Sequence, residues 1–254
     1  MAGLSELTRR GAKFLALLPE HCGNSWRFRV LFFRERGFRI PRRIRVGGQS
    51  VDLHLLDEEG VREDCMECLF HNLYGLGREL GEVRSILDIG ANVGFFSLAA
   101  RAHYPRAAIH AYEPNPRVLP LLRANTANLD VEIFPEALGG LAGAVLMDDQ
   151  AESNAARTRS STDGIGILQL TLETAIQRIG GSVDLLKLDC EGAEWEILSK
   201  TNALAAVRHI RMEYHLFDGQ SPEQILRLLT SAGFSVIHVG PQHELNGIVW
   251  ASRG

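Results

Sequence analysis

Through most of this chain, short continuous apolar runs alternate with segments whose apolar residues have helical spacing. Continuous apolar runs at Ser85–Ile89, Ala108–Tyr112 and Val183–Leu188 predict short buried strands. Apolar residues at helical spacing in Phe95–His103 and Gly192–Lys200 predict amphipathic helices. Strands that alternate with helices predict an α/β fold with a doubly wound, mostly parallel sheet.

The middle of the chain adds less regular elements. Val131–Phe134 predicts another strand, and Leu170–Ile179 predicts a strand end followed by a helix. Asn115, followed by a proline, can cap a further helix, which Pro120 should kink. Residues 149–164 are polar and show no periodicity, so we expect a long loop that acts as a mobile lid or specificity loop.

The C-terminal pattern changes from parallel to antiparallel strands. Ile210–Tyr214 predicts a strand, and the stretch from Ser221 to Gln224 is a capping box that begins a helix. Phe234–Val239 and Ile248–Ser252 then follow without a helix between them. A short link between two strands implies antiparallel pairing, so the sheet is predicted to end in a hairpin.

The N-terminal part has a different character. Apolar residues spaced among arginines predict two short helices at residues 4–19 and 25–36, and Pro41 ends this pattern. We therefore divide the chain into a basic helical N-terminal extension, residues 1–45, and a main domain, residues 46–254.

Two elements lead into the strand-and-helix pattern. Arg43–Val46 and Ser50–Leu55 alternate on either side of two glycines, which predicts a hairpin, and Glu63–Tyr74 predicts a helix. That helix carries Cys65 and Cys68 in a CxxC spacing. A structural zinc site needs four ligands and no second pair exists, so we expect reduced thiols and no metal.

Charge is divided unevenly along the chain. Residues 1–47 contain 11 Lys and Arg against 3 Asp and Glu, a net charge of +8, whereas the remainder contains 16 against 28 and carries −12. A basic arm can meet nucleic acid or anionic lipid, but a solvated or partner-facing helical extension is the interpretation we favour. The acidic main domain disfavours a nucleic-acid substrate, because phosphate contacts need a basic groove.

The apolar runs are too short for membrane insertion. None approaches the roughly 20 residues of a membrane-spanning helix, and Phe14–Leu18 is too short for the core of a signal peptide. The sequence therefore predicts no transmembrane segment and a cytoplasmic location.

The most informative chemistry lies between the first buried strand and its helix. Asp88, Gly90, Asn92 and Gly94 form a DxGxxxG loop at the position where a doubly wound sheet binds nucleotides. The loop lacks both the dinucleotide GxGxxG and the phosphate-binding GxxxxGK[ST] patterns. Glu113 ends the next strand, where a carboxylate can accept hydrogen bonds from both ribose hydroxyls. A nucleoside cofactor without phosphates fits this pattern, and S-adenosylmethionine is such a cofactor.

Five motifs occur in a familiar order and spacing. They are "ILDIGANVGFFSL", "AYEPNP", "PEALG", "VDLLKLDCEGAEWEIL" and "MEYH", and together they resemble the FkbM-type methyltransferases. The resemblance runs from about residue 50 to the C-terminus, and "DLLKLDCEGAEWEIL" is its most specific part. It leaves residues 1–45 without an assigned role.

The resemblance implies a class I methyltransferase fold with a doubly wound, mostly parallel, seven-stranded sheet and a terminal antiparallel hairpin. It implies S-adenosylmethionine as cofactor and a hydroxyl of a small molecule, sugar or lipid-linked glycan as acceptor. The residues that match the cofactor-binding motifs are Asp88, Gly90, Asn92, Gly94 and Glu113. Glu136 and Ala137 would lie near the adenine.

Candidate catalytic residues follow the fourth and fifth strands, at the edge of the sheet that faces the cofactor loop. Asp189 ends one strand with Lys187 on the same face, and Glu213 and His215 share a face at the end of the other. An alcohol is a poor nucleophile while protonated, so a nearby base helps, and His215 is one candidate. The Lys187–Asp189 pair can equally be structural, and His215 can be a solvated histidine.

These observations favour an S-adenosylmethionine-dependent O-methyltransferase. The (N/D)PP(Y/F) motif of amino-methyltransferases is absent, because its position reads Asp189-Cys190-Glu191-Gly192. Two alternatives stay open: an RNA methyltransferase that uses the basic arm, and a non-catalytic module that binds S-adenosylmethionine. The sequence leaves the acceptor, the need for a divalent metal, the identity of the general base and the oligomeric state undetermined.

Overall fold

The computed structural model describes residues 18–32, 38–148, 152–161, 163–217, 219–242 and 245–253. Its helices are α1 over residues 18–28, α2 Glu59–Cys65 with a π-helical continuation Met66–His71, α3 Phe95–His103, α4 Leu119–Thr126, α5 Leu172–Arg178, α6 Glu194–Lys200 and α7 Pro222–Ser231. Short 3₁₀ turns cover Ser153–Ala155 and Ala203–Ala206. The strands are β1 Arg43–Val46, β2 Gln49–Asp52, β3 Ser85–Ile89, β4 Ala108–Tyr112, β5 Val131–Phe134, β6 Ala137–Gly139, β7 Gly143–Met147, β8 Thr158–Ser160, β9 Ile167–Thr171, β10 Val183–Leu188, β11 Val207–His215, β12 Ser235–Gln242 and β13 Asn246–Ser252.

A seven-stranded sheet forms the centre of the domain, in the order β12-β13-β11-β10-β3-β4-β5. Strands β11, β10, β3, β4 and β5 are parallel, and β13 is antiparallel to both of its neighbours. This confirms the predicted mostly parallel sheet with a terminal antiparallel hairpin. The register places Leu188 beside Ile89 and Ile89 beside Tyr112, so the carboxyl ends of three central strands meet at one edge.

Successive side chains of the central strands point to opposite faces of the sheet, and a hydrophobic core lies on each face. Ile86 and Leu185 pack with α2, α3 and the β1–β2 hairpin on one face. Leu87, Leu186 and Leu188 pack with α5, α6 and α7 on the other face. Strands buried on both faces are continuously apolar, which is why the sequence shows β3 and β10 most clearly.

The N-terminal segment folds differently from its prediction. Residues 1–17, and with them most of the first predicted helix, lie outside the described part. Within the described residues, helix α1 spans residues 18–28 and residues 29–32 are not helical, which contradicts the second helix predicted at residues 25–36. Arg29 adopts a left-handed φ of 57°, and Val30 N donates to Ser25 O at 3.0 Å, so a Schellman turn ends the helix. Beyond the turn, Phe32 stacks on Phe70 with ring centroids 4.5 Å apart.

The structure also corrects three helix boundaries that the sequence predicted. Helix α4 begins at Leu119, so Pro120 lies in its first turn and causes no kink, while Asn115 Oδ1 caps only the preceding turn by accepting from Arg117 N. The helix predicted at Glu63–Tyr74 begins earlier, at Glu59, and ends at His71. The capping box from Ser221 to Gln224 is confirmed.

A second, four-stranded sheet was not predicted. Its order is β6-β9-β7-β8, and it takes in part of the segment that the sequence predicted to be a loop. β8 pairs with β7 through Val145 opposite Ser160, so backbone hydrogen bonds rather than an apolar pattern organise this segment. The described portion of residues 149–164 is therefore not structureless.

Among the described residues, no helix has both the length and the apolar character that crossing a membrane requires. The division at residue 45 stays a prediction.

Candidate active site

A cavity of about 1060 Å³ opens at the carboxyl edge of the central sheet. Nine of the eleven predicted site residues line it: Gly90, Asn92, Glu113, Glu136, Ala137, Lys187, Asp189, Glu213 and His215. Asp88 lies beneath the cavity, fully buried, and Gly94 caps the start of α3. The topology thus brings together residues from five strands that are far apart in the sequence.

The loop after β3 is pressed against the end of β10. Gly90 has a φ of +78°, and a Cβ built on it would lie well under 3.0 Å from the backbone oxygen of Asp189. The Gly90 amide also donates to Tyr112 O at 3.0 Å. Glycine is required here because both the left-handed conformation and the close backbone approach exclude a side chain.

Glu113 is a buried carboxylate held by backbone amides. Its Oε2 accepts from Asn92 N at 2.7 Å and its Oε1 from Asn115 N at 2.8 Å. Burial raises the pKa of Glu113 to about 7, although the two amides and the charge of Lys187 act in the opposite direction. Each carboxylate oxygen keeps a lone pair for a further donor, such as a ribose hydroxyl.

Asn92 connects this loop to a second buried acid. Its backbone is left-handed, with a φ of 47°, and its Nδ2 donates to Asp64 Oδ2 at 2.8 Å. Burial, followed by repulsion from Asp189 and Glu67, raises the pKa of Asp64 to about 8. No motif in the sequence indicates Asp64, because only the packing of α2 against the loop brings it to the cavity.

Lys187 is the buried cation of the site. Its Nζ lies 3.2 Å from Asp189 Oδ2 and 3.6 Å from Asp88 Oδ1, and it also donates to the Gly90 carbonyl. Burial lowers the pKa of Lys187, but the charges of Asp189 and Asp88 outweigh it and raise the pKa above its ordinary value. Tyr74, which the sequence did not single out, donates its hydroxyl to Asp189 Oδ2 at 3.0 Å.

His215 is held between two carboxylates. Its Nδ1 lies 3.4 Å from Glu194 Oε1 and its Nε2 lies 3.4 Å from Glu191 Oε1. Burial lowers the pKa of His215, but Glu194 and Glu191 outweigh it and raise the pKa to about 9. The imidazole is therefore a cation at neutral pH.

The carboxylates around His215 have different partners. Glu194 is fully buried and accepts from the backbone amides of Cys190 and Gly192, each at 2.7 Å. Burial raises the pKa of Glu191 to about 7. Burial, with repulsion from Asp189, also raises the pKa of Glu213 well above its ordinary value.

Comparison with known proteins decides the family. A profile of the methyltransferase FkbM domain matches residues 88–236, more than half of the chain. The chain belongs to the FkbM methyltransferase family. The 31-O-demethyl-FK506 methyltransferase FkbM of Streptomyces tacrolimicus is 28% identical over 199 residues, which is 63% of this chain and 76% of that protein. Methyltransferase sdnD of Sordaria araneosa is 29% identical over 191 residues, or 59% and 73%.

Solved structures include similar sheets. Aeropyrum pernix fibrillarin in complex with natively bound S-adenosyl-L-methionine has a TM-score of 0.46 and 16% identity over 71% of each chain. The precorrin-6y C5,15-methyltransferase of Geobacter metallireducens has a TM-score of 0.45 and 16% identity, over 80% of this chain and 93% of that one. The order of the seven-stranded sheet, together with the match to the FkbM domain, shows the class I methyltransferase fold that the sequence predicted.

Among the described residues, three side chains lie close enough together to ligate one metal ion. Asp189, Glu191 and His215 each offer one ligand atom, and these atoms lie within 4.8 Å of one another. The ion pair between His215 and Glu191 accounts for part of this geometry without a metal. The absence of a metal stays a prediction.

Glu136 and Ala137 lie at the far side of the cavity. Glu136 pairs with Arg178 at 2.6 Å, and Arg178 lies 4.3 Å from the centre of the Phe134 ring. Ala137 is buried at the start of β6. Their predicted place near an adenine is compatible with this position and stays a prediction.

The segment after β7 contributes a wall of the cavity, through residues 153–158. Two contacts tie it to the start of α2: Ser153 N donates to Glu58 Oε2 at 2.7 Å, and Gly60 N donates to Glu152 Oε2 at 3.1 Å. The predicted lid is thus attached to the domain at these points, and its mobility stays a prediction.

Proposed function

We propose that this FkbM-family chain binds S-adenosylmethionine and transfers its methyl group to a hydroxyl oxygen of a small molecule, sugar or lipid-linked glycan. One observation carries the proposal: a single cavity combines the buried carboxylate of Glu113 with the Lys187–Asp189–Tyr74 network. When bound, S-adenosylmethionine supplies an electrophilic methyl group on a sulfonium.

The residues around Glu113 fit a nucleoside without phosphates. Glu113 lines the cavity, and its oxygens are fixed by two backbone amides, so the carboxylate is oriented before any ligand arrives. Asp64 adds a second acid beside the loop. Above pH 7 the charge of Glu113 would repel a pyrophosphate, whereas the ammonium and sulfonium of S-adenosylmethionine suit it.

Asp189 is our candidate for the group that accepts the hydroxyl proton. Lys187 and Tyr74 both contact its Oδ2. Among the described residues, no side chain or amide bonds to its Oδ1, and Asp189 lines the cavity. Its backbone also touches Gly90, so the carboxylate follows directly on the cofactor loop. An acceptor hydroxyl at Oδ1 would be aligned and could transfer its proton.

His215 has a different part in this proposal. With a pKa of about 9, its ring is protonated at neutral pH and cannot take a proton without first losing one. His215 is therefore a weaker candidate for the base than an unperturbed histidine would be. We assign it to orienting Glu191 and Glu194, which its two ring nitrogens face.

The alternatives have less support. A nucleic-acid acceptor would bring phosphates to a cavity whose walls carry Asp64, Glu67, Glu191 and Glu213. A non-catalytic binding module would not need the buried Lys187–Asp189 pair beside the cofactor loop. The relative described as a 31-O-demethyl-FK506 methyltransferase supports a hydroxyl of a small molecule as acceptor.

Titration calorimetry with S-adenosylmethionine tests the cofactor half of the proposal. Glu113→Gln keeps one oxygen, which can accept from one of the two backbone amides, and removes the charge. Charge-assisted hydrogen bonds contribute about 1.5–3 kcal/mol, so affinity should fall by roughly one to two orders of magnitude. Glu132→Gln is the matched control, because Glu132 lies in β5 and 71% of its side chain is exposed to solvent. Equal affinity in the Glu113 variant would contradict the assignment.

Labelled methyl transfer tests the acceptor half. The chain is incubated with labelled S-adenosylmethionine and a panel of sugars, hydroxylated macrocycles, lipid-linked glycans and amines, and the methylated atom is identified by NMR. We expect the label on oxygen. A label on nitrogen would overturn the hydroxyl assignment, and cofactor binding without transfer to any acceptor of the panel would favour the binding module.

A further inference from the structure

Two large apolar side chains are exposed where α1 ends. Trp26 is 70% exposed and Leu31 is 79% exposed, while the phenylalanines beside them are buried. They stand on either side of the Schellman turn at Arg29, so the turn presents both at one end of the helix. Single exposed apolar residues are normal in proteins, so their surroundings decide whether these two have a role.

Those surroundings are cationic. The Arg29 guanidinium lies 4.9 Å from the centre of the Trp26 ring. Arg39 and Arg42 are exposed, and within the described part of the chain neither they nor Arg29 have an ion-pair partner. Arg43, in contrast, is neutralised by Asp52.

A ring contact joins the two segments that carry these residues. Phe32 and Phe38 pack edge to face with centroids 5.0 Å apart, which places the residue after Leu31 against the residue before Arg39. We call this surface the basic apolar patch and define it as Trp26, Arg29, Leu31 and Arg39.

The combination of exposed apolar side chains and unpaired arginines indicates what kind of partner would bind this surface. A second copy of the patch would set unpaired arginines against one another, and like charges repel. A nucleic acid would satisfy the arginines but would offer Leu31 neither a stacking surface nor an apolar pocket. An anionic lipid surface accepts both components, because aromatic and aliphatic side chains enter the headgroup boundary while arginines meet the lipid charges. We propose that the basic apolar patch docks the protein on an anionic membrane surface.

Helix α1 connects this surface to the cavity wall. Asn24 Nδ2 donates to Phe70 O at 3.2 Å, and Asn72 Nδ2 donates to Glu20 Oε1 at 2.7 Å. His71 and Asn72 line the cavity, so only one layer of side chains separates α1 from it. Docking would hold that wall near the membrane. The inference does not rest on the proposed function, since the patch contains no residue of the site.

Vesicle flotation of the full chain tests the inference, with phosphatidylcholine vesicles and with vesicles that also contain phosphatidylglycerol. We expect binding to the second kind alone, weakened by salt. Arg29→Gln and Arg39→Gln should each lower the partition coefficient about fivefold. Trp26→Ala with Leu31→Ala should lower it by at least about tenfold.

Matched controls lie outside the patch. Leu141→Ala removes a leucine that is 62% exposed, and Arg123→Gln removes an exposed arginine on α4, so both variants should bind vesicles like the wild type. Trp26 emission should be quenched by brominated lipid, whereas Trp250 is buried and Trp195 is half-buried, so the quenching should be lost in the variant that combines Trp26→Ala with Leu31→Ala.

Three outcomes would overturn the proposal. They are equal binding to neutral vesicles, binding that the patch variants leave unchanged, and binding to single-stranded RNA with no binding to anionic vesicles. Methyl transfer can be intact or absent in any of these cases, so the result is separable from that of the proposed function.

Discussion

Replacing Gly90 by alanine tests the contact between the loop after β3 and the end of β10. Two costs add. A left-handed alanine costs about 1–2 kcal/mol. A Cβ forced against the Asp189 backbone adds overpacking strain of about 1–3 kcal/mol, because backbone cannot rotate away as a side chain can. We expect a loss of about 2–5 kcal/mol in the free energy of unfolding, which lowers Tm by roughly 5–15 °C in a domain of this size.

Gly81→Ala separates the two costs. Gly81 also has a left-handed φ, +62°, but a Cβ there meets no atom within 4 Å. It should lose only the conformational part, about 1–2 kcal/mol. Urea denaturation followed by circular dichroism measures both variants, and calorimetry with S-adenosylmethionine shows whether the displaced loop still binds. If Gly90→Ala loses no more free energy of unfolding than Gly81→Ala, the loop after β3 and the end of β10 are not in contact.

Three other predictions concern the buried charges of the site. Lys187→Met should destabilise the fold by about 3–5 kcal/mol in urea denaturation, because it strands the buried carboxylate of Asp88, and Asp88→Asn in the same chain should restore part of the loss. The carboxyl of Glu113, with its pKa raised to about 7, is charged above that pH and neutral below it. Affinity for S-adenosylmethionine should therefore fall as pH drops through 7, approaching tenfold per pH unit, and calorimetry should find this slope missing in Glu113→Gln. Asp189→Asn should lower the single-turnover rate of methyl transfer by about 10²–10⁴-fold with little change in cofactor affinity, and a larger loss in His215→Ala would return the role of base to the histidine.

Elements with a strong repeating pattern could be predicted from the sequence. β3, α3, β4, β5 and β10 have the bounds that their apolar runs indicate. The second sheet had no such pattern, because β8 is only three residues long and none of its side chains is buried. The helix predicted at residues 25–36 was wrong for a related reason. Helical spacing of apolar residues continues past Phe28, but Arg29 adopts a left-handed conformation and ends the helix. Glycine is the usual residue at such a turn, so an arginine there does not indicate a helix end.

The predicted site residues came from two kinds of signal. Motif spacing identified Gly90 and Glu113, and position at strand ends identified Asp189 and His215. Neither kind of signal applies to Tyr74, which follows a π-helix and reaches Asp189 only through the fold, 115 residues away in the chain.

The sequence by itself determined the fold class, the family and the edge of the sheet at which the site lies. These features depend on residue order along each strand and on short motifs, both of which can be read locally. Only the tertiary structure decided the protonation of the site. His215 has an ordinary pKa as an isolated residue and becomes a cation because Glu191 and Glu194 flank it. Asp64, Glu113 and Glu191 hold protons near neutral pH because burial removes the water that would stabilise their charge. Burial and charge proximity are properties of packed elements, so no local pattern in the chain encodes them.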